Sequence, residues 1–258
     1  MTATDARIFE LGDYRIDVIV HGFPGKSVCH GPLGFSTIAL VRYKNKVALI
    51  DVGGFGQRLI LLDRLKELGV TPEGVTDILL THSHFDHAIN WVAFPEATIY
   101  ISAEEMDWAK NQPRGQTYVP ELYVEALSKN DKLKLISDGE IGFPGIRAIA
   151  TPGHTPGSLV FVLDAGSVDV VFTGDACKNR AELISLSADM TYDKRTTEDS
   201  IKKIWAEWKR RENGVLIPGH DLPMITRNGE IQYIGSREAA IKAWYSDDLN
   251  KTTIFSLL

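Results

Sequence analysis

Cysteine is scarce in this chain. Cys29 and Cys177 are its only two, and they lie far apart in sequence. They could form one disulfide but not a disulfide framework, and so low a count suits a reducing compartment. Long apolar runs are missing as well: no window approaches the ~18–20 apolar residues needed to span a bilayer. Met1 to Arg7 lead into no apolar stretch of signal-peptide form. There is no basic excess either, with 28 Lys and Arg against 34 Asp and Glu and a net charge of −6. That balance argues against a general affinity for nucleic acid, which needs a concentrated basic surface. The short run Lys209-Arg210-Arg211 reads as a solvated helix end. Low-complexity segments and linkers are absent too, and the chain is 44% hydrophobic and 24% charged over 258 residues. The expectation is one globular domain over residues 1–258, cytoplasmic, acting on a small molecule, with no nucleic-acid or membrane partner.

What the sequence does contain is the same order of elements twice. Tyr14–Val20, Ser36–Tyr43 and Val47–Val52 read as β-branched strands, the last two joined by the polar turn Lys44-Asn45-Lys46. Gly53-Gly54 breaks the run. Gln57–Gly69 then places Leu61, Leu62, Leu65 and Leu68 at helical spacing. Strands at Thr76–Thr81 and Ala97–Ile101 complete the first half. The second half is read as restarting at Leu133–Ile136, with strands at Ile146–Ala150, Ser158–Leu163, Asp169–Thr173 and Val215–Ile217. Helices are expected at Thr197–Arg211 and near Ser236–Trp244. Strand-rich halves that each carry helices predict an α+β fold, a four-layer αββα sandwich. Glu104–Asn130 and Lys178–Arg195 lack strong pattern, and such stretches are often lids or binding loops.

Chemistry concentrates in Thr81-His82-Ser83-His84-Phe85-Asp86-His87. Three histidines and an aspartate within six residues resist explanation as packing, because polar groups are costly to bury unpaired and imidazole is the commonest neutral metal ligand. On an extended loop His82 and His84 project to one side and could share an ion. Asp86 and His87, where the chain turns into a helix, would point elsewhere and could hold a second. His154 lies in the Pro/Gly-punctuated loop Thr151–Gly157. Asp175 and His220 each follow a strand through a glycine. Five imidazoles and two carboxylates suit a Lewis-acidic ion such as Zn²⁺, with Mn²⁺ or Fe²⁺ as alternatives, better than Ca²⁺ or Mg²⁺.

At this point the chain resembles the metallo-β-lactamase superfamily, within its glyoxalase II and lactonase-like branch. Leu49-Ile50-Asp51-Val52-Gly53-Gly54 looks like the family's first motif. His82 to His87 looks like its HxHxDH motif, and His154, Asp175 and His220 follow in family order. The first half is also similar to a group of small animal proteins named for their metallo-β-lactamase domain. The resemblance implies two ions, one on His82, His84 and His154, the other on Asp86, His87 and His220, with Asp175 between them and Asp51 supporting the ligands from behind. It also implies hydrolysis of a small ester, lactone, thioester or amide by a hydroxide that bridges the two cations. Asp86 would orient that nucleophile or shuttle a proton. Ser83 and Cys177 read as neighbours rather than nucleophiles.

Substrate contacts are expected from Lys178 just after Asp175, from Tyr192, and from His30 in the Gly/Pro-rich segment His21–Phe35, which also carries His21 and Lys26. Lys178 reads somewhat more readily as a surface lysine. The aromatics Trp108, Tyr118 and Tyr123 are candidates for an apolar pocket wall. A second reading is a mononuclear iron oxygenase resembling persulfide dioxygenase, which needs only His82, His154 and Asp175 or their equivalents. The apolar tail Thr252–Leu258 could dock on a second copy to make a homodimer, or pack on its own domain.

Overall fold

Strand alternation decides the layering. The computed structural model describes residues 8–29, 31–237 and 239–257. In the first half, β1 (Ile8–Leu11) and β2 (Tyr14–Val20) precede a loop that holds the two-residue strands β3 (Lys26–Ser27) and β4 (Gly31–Pro32). Then come β5 (Ile38–Tyr43), β6 (Lys46–Ile50), β7 (Asp77–Leu79), β8 (Thr98–Ser102) and β9 (Leu133–Ile136). They form a sheet in the order β1-β2-β5-β6-β7-β8-β9, antiparallel as far as β6 and parallel beyond it. The second sheet runs β10 (Gly139–Glu140), β11 (Ile146–Ala150), β12 (Leu159–Asp164), β13 (Asp169–Gly174), β14 (Val215–Pro218), β15 (Met224–Arg227) and β16 (Glu230–Tyr233). Only the β13–β14 pair in it is parallel.

Successive residues of these strands enter different cores. Ala39 and Val41 of β5 face a cluster shared with Phe161 of β12 and Phe172 of β13, whereas Ile38 and Leu40 face a second cluster behind the first sheet. In β12, Leu159, Phe161 and Leu163 point between the sheets, and Val160 and Val162 point to a third cluster behind the second. A strand buried on both faces needs apolar residues at nearly every position, which is why these runs read as continuous rather than alternating. The outer clusters are closed by helices: α1 (Arg58–Glu67) and, further along, α3 (Ala103–Lys110) and α4 (Glu121–Leu127) on one side. The short helices α2 (Phe85–Ala88) and α5 (Arg180–Ser185) begin beside the strand ends, and α6 (Lys194–Trp208) closes the other side through Ile201, Ile204 and Trp208. The four-layer αββα sandwich expected from the element order is the architecture observed. No helix among the described residues is long and apolar enough to cross a membrane.

Three expectations are corrected. Leu133–Ile136 does not open the second half; as β9 it is the edge of the first sheet, parallel to β8. A parallel neighbour requires a crossover, and α3 and α4 supply it from the stretch 104–130 that showed no clear pattern. The helix expected near Ser236–Trp244 is instead β17 (Ala240–Ala243), paired antiparallel with β18 (Thr253–Ser256). There cross-strand pairing with β18 outweighs the local alanine-rich preference for helix. The basic run is not merely solvated: Arg210 grips Asp169 at 2.8 and 2.9 Å, and Arg211 grips Asp164 with two contacts of 2.8 Å. In the C-terminal tail, Ile254 and Phe255 stay exposed.

Candidate metal centre

One edge of the sandwich collects the chain's chemistry, because the loops that leave β6, β7, β11, β13 and β14 converge there. Asp51 follows β6 directly and has φ +52°, a left-handed conformation that Asp tolerates better than most residues. Its carboxylate is buried and fully used. Oδ1 accepts from Thr81 N at 2.8 Å; Oδ2 accepts from Thr81 Oγ1 at 2.8 Å and meets His87 Nδ1 at 2.7 Å. The proton of Thr81 Oγ1 is thereby spent on Asp51, so the hydroxyl accepts from His82 Nδ1, 3.1 Å away. His82 and His87 each donate from Nδ1, which leaves Nε2 as the nitrogen turned to the cluster. His220 follows the same rule, with Nδ1 3.2 Å from Phe23 O. Three imidazoles are thus oriented with Nε2 toward the cluster, the nitrogen each can offer to a cation when the ring is neutral.

Two of those nitrogens find no hydrogen-bond partner in the protein. His82 Nε2, His87 Nε2, His154 Nδ1 and Asp175 Oδ1 are all buried without a hydrogen bond. His154 Nε2 faces His84 Nδ1 at 3.0 Å, a pairing of ring nitrogens that calls for a shared proton or a cation. Ligand atoms gather into three triads, each spanning no more than 4.8 Å: His82–His84–His154, His82–His87–Asp175 and Asp86–His87–His220. Asp175 stands between the outer two. Its Oδ1 lies 3.2 Å from His87 Nε2 and 3.1 Å from His220 Nε2, while its Oδ2 lies 3.4 Å from His154 Nε2. Asp86 Oδ2 reaches His220 Nε2 at 3.4 Å and His87 Nε2 at 3.7 Å. Nitrogen-rich donors with orphaned lone pairs fit a borderline divalent cation.

Electrostatics divides the cluster. Burial, reinforced by neighbouring histidines, depresses His82 well below the usual imidazole range; burial also outweighs Asp175 at His154 and lowers His84 to about 4. These three stay neutral, the state in which imidazole can ligate. Burial would lower His87 too, but the carboxylates of Asp175, Asp86 and Asp51 override it and hold the ring well above the usual range. His220 is raised in the same way by Asp175 and Asp86. Burial favours the protonated form of Asp86, whereas Asp175 is held well below the usual carboxylate range, burial being outweighed by His220, His87 and His154. The half with the carboxylates is therefore the half that collects positive charge.

Glycines allow the loop Pro152-Gly153-His154-Thr155-Pro156-Gly157 to lie so deep. A Cβ on Gly153, at φ +135°, would meet Thr197 Oγ1 of α6 at 2.3 Å; one on Gly157 would meet Glu105 N of α3 at 2.0 Å. His154 is thereby seated between two helices.

Above the cluster opens a cavity of about 610 Å³. Its floor includes His84, Asp86, His154, Asp175 and His220, and its walls include Phe85, Trp108, Tyr118, Met190 and Tyr192. Trp108 meets Tyr192 edge-on with centroids 6.1 Å apart and lies 6.2 Å from the His84 ring. Tyr192 does line the cavity, as does Lys178, but the ammonium of Lys178 is engaged with Glu182 Oε1 at 2.9 Å and Asp189 O at 2.7 Å. Lys26 also reaches this cavity and pairs with Asp189. Tyr123 does not line it, packing edge-on against Phe55 at 5.6 Å instead. His21 lines a separate cavity of about 580 Å³ with Arg64. His30 lies outside the described residues. Ser83 Oγ points away to Glu105 at 2.6 Å, and burial pushes the Cys177 thiol up, so neither has the disposition of a nucleophile. Glu105 itself escaped the sequence reading. Its one signal, Ser102-Ala103-Glu104-Glu105, is the pattern of an ordinary helix cap.

An αββα sandwich with a His/Asp cluster at its loop edge defines a class of metal-dependent proteins. The sequence pattern of the metallo-beta-lactamase superfamily matches residues 31–220, and the chain belongs to that superfamily. An N-acyl homoserine lactonase of Bacillus sp. is 28% identical over 163 residues, 63% of this chain and 62% of the lactonase. The chain thus spans less than two thirds of that relative's length. Metallo-beta-lactamase domain-containing protein 1 of Mus musculus is 32% identical over 197 residues, 74% of this chain and 65% of the relative. AidC, a dizinc quorum-quenching lactonase solved with a product, shares the fold with a TM-score of 0.68 at 19% identity, covering 90% of this chain and 97% of its own.

Proposed function

We propose that this chain is a hydrolase of a small ester, lactone, thioester or amide, working with two divalent ions, best Zn²⁺. The observation that carries the reading is the divided carboxylate of Asp175, one oxygen toward His87 and His220 and the other toward His154. His82, His84 and His154 would hold one ion, Asp86, His87 and His220 the other, and Asp175 both. The lactonase relative supports a carbonyl substrate, and the cavity is large enough for a small molecule. When bound, such ions lower the pKa of water and polarise a carbonyl oxygen.

The chain's own residues supply the rest. Asp51 orients His87 and, through Thr81, His82. Asp86 lies on the cavity floor, placed to orient the nucleophile or to shuttle a proton to the departing oxygen, sulfur or nitrogen beside its ligand role. Phe85, Trp108, Tyr118 and Tyr192 exclude water and hold the apolar part of the substrate.

Metal analysis of protein purified without added metal, combined with turnover of a panel of lactones, thioesters and amides, tests the reading. The expected result is two equivalents of zinc or manganese and turnover of at least one carbonyl class, with Asp175→Ala losing both. One equivalent of iron without zinc or manganese would overturn it in favour of an iron oxygenase.

A further inference from the structure

Glu105 is a buried carboxylate in the first turn of α3. Ser102 caps this helix, its Oγ accepting from Glu105 N at 3.3 Å. In a reciprocal capping box the glutamate would turn back to the backbone N–H of the cap residue. Here it turns inward instead. Oε1 accepts from Ser83 N at 2.9 Å and Ser83 Oγ at 2.6 Å; Oε2 accepts from Thr155 Oγ1 at 2.6 Å and Gly157 N at 3.2 Å. Among the described residues no Lys or Arg pairs with it. Burying a carboxylate without a counter-ion costs several kcal/mol unless its lone pairs are satisfied, and a helix cap alone needs no such burial.

Each oxygen serves one loop. Ser83 stands between His82 and His84, and Thr155 directly follows His154. One carboxylate therefore ties together the two loops that carry the His82–His84–His154 triad, although those loops come from different halves of the chain. We propose that Glu105 is a positioning residue that sets the spacing of these three imidazoles and thereby the affinity of one ion site and not the other. This inference rests on the metal-binding reading above. The Asp86–His87–His220 triad reaches Glu105 by no contact of this kind, since Asp51 and the Phe23 carbonyl orient His87 and His220.

The test uses the full chain stripped by chelator and titrated with Zn²⁺ alone, followed by calorimetry, with Co²⁺ absorption as a probe of ligand geometry. Glu105→Gln keeps the size but places an amide NH₂ where one oxygen accepts two donors, so one loop loses its anchor. The expected result is one binding step weakened by about tenfold to a hundredfold, the other unchanged, and an altered Co²⁺ spectrum. Ser83→Ala and Thr155→Val each remove the hydroxyl from one arm and weaken the same step by a smaller factor; they decide the matter if Glu105→Gln does not fold. Wild-type affinity in folded Glu105→Gln, or in both single-arm variants, overturns the inference, as does an equal loss at both steps. Wild-type protein that binds no Zn²⁺ would overturn the metal reading itself, and the inference with it.

Discussion

His87 Nδ1 lies 2.7 Å from Asp51 Oδ2, and both side chains are buried. The contact joins the end of β6 to the start of α2, 36 residues later, and determines which ring nitrogen His87 offers to the cluster. Because Thr81 Oγ1 shares the same carboxylate oxygen, the tautomers of His82 and His87 are set together. Asp51→Asn replaces an acceptor with a competing choice of donor. Zinc affinity in that variant should fall about tenfold to a hundredfold while the fold persists. Unchanged zinc affinity would show that the ring orientation is maintained without Asp51.

Acidification should destabilise the metal-free protein. His84 falls from 6.5 to about 4 on folding, and His82 and His154 shift in the same direction. Between those values the unfolded chain binds more protons than the folded one, so stability rises with pH across this window and is lost as pH falls. His87 and His220 have raised values and act oppositely, their contribution being lost as pH rises through the folded values. Thermal unfolding of chelator-treated protein should therefore give a Tm that drops from pH 6.5 toward pH 4. A Tm that rises over that interval would count against three neutral buried imidazoles.

The aromatic wall should govern binding more than chemistry. Trp108 lines the cavity edge-on to Tyr192 and to the His84 ring, but its indole N–H makes no hydrogen bond to the His/Asp cluster. Trp108→Ala should raise KM for an apolar substrate about fivefold to tenfold and leave kcat within about twofold, the pattern of lost uniform binding. Steady-state kinetics on the best substrate of the panel checks this. A fall in kcat at constant KM would move Trp108 from the wall into the reacting geometry.

Much of the centre was legible because its signals are local. The alternation of His82, Ser83 and His84 on an extended segment puts two imidazoles on one side without reference to the rest of the chain. The pairing of Gly with His154, Asp175 and His220 likewise marks where strands end. The crossover through α3 and α4 was not legible, since amphipathic helices of eight and seven residues leave little periodic trace. The hairpin of β17 and β18 was missed for the opposite reason: its local preference favours a helix.

The sequence by itself brought out the His and Asp residues of the cluster, most of the strands and the continuous apolar character of a doubly buried sheet, because each depends on residue type and short-range spacing. Only the tertiary structure decided how the donors are shared. That Asp175 turns its two oxygens to different triads, that Lys178 is engaged by Asp189, and that Glu105 joins the loops of His82, His84 and His154 all depend on contacts between residues 11 to 88 positions apart in the chain. Contacts at such separations follow from how two sheets stack and where their loops meet, and no local pattern encodes that geometry.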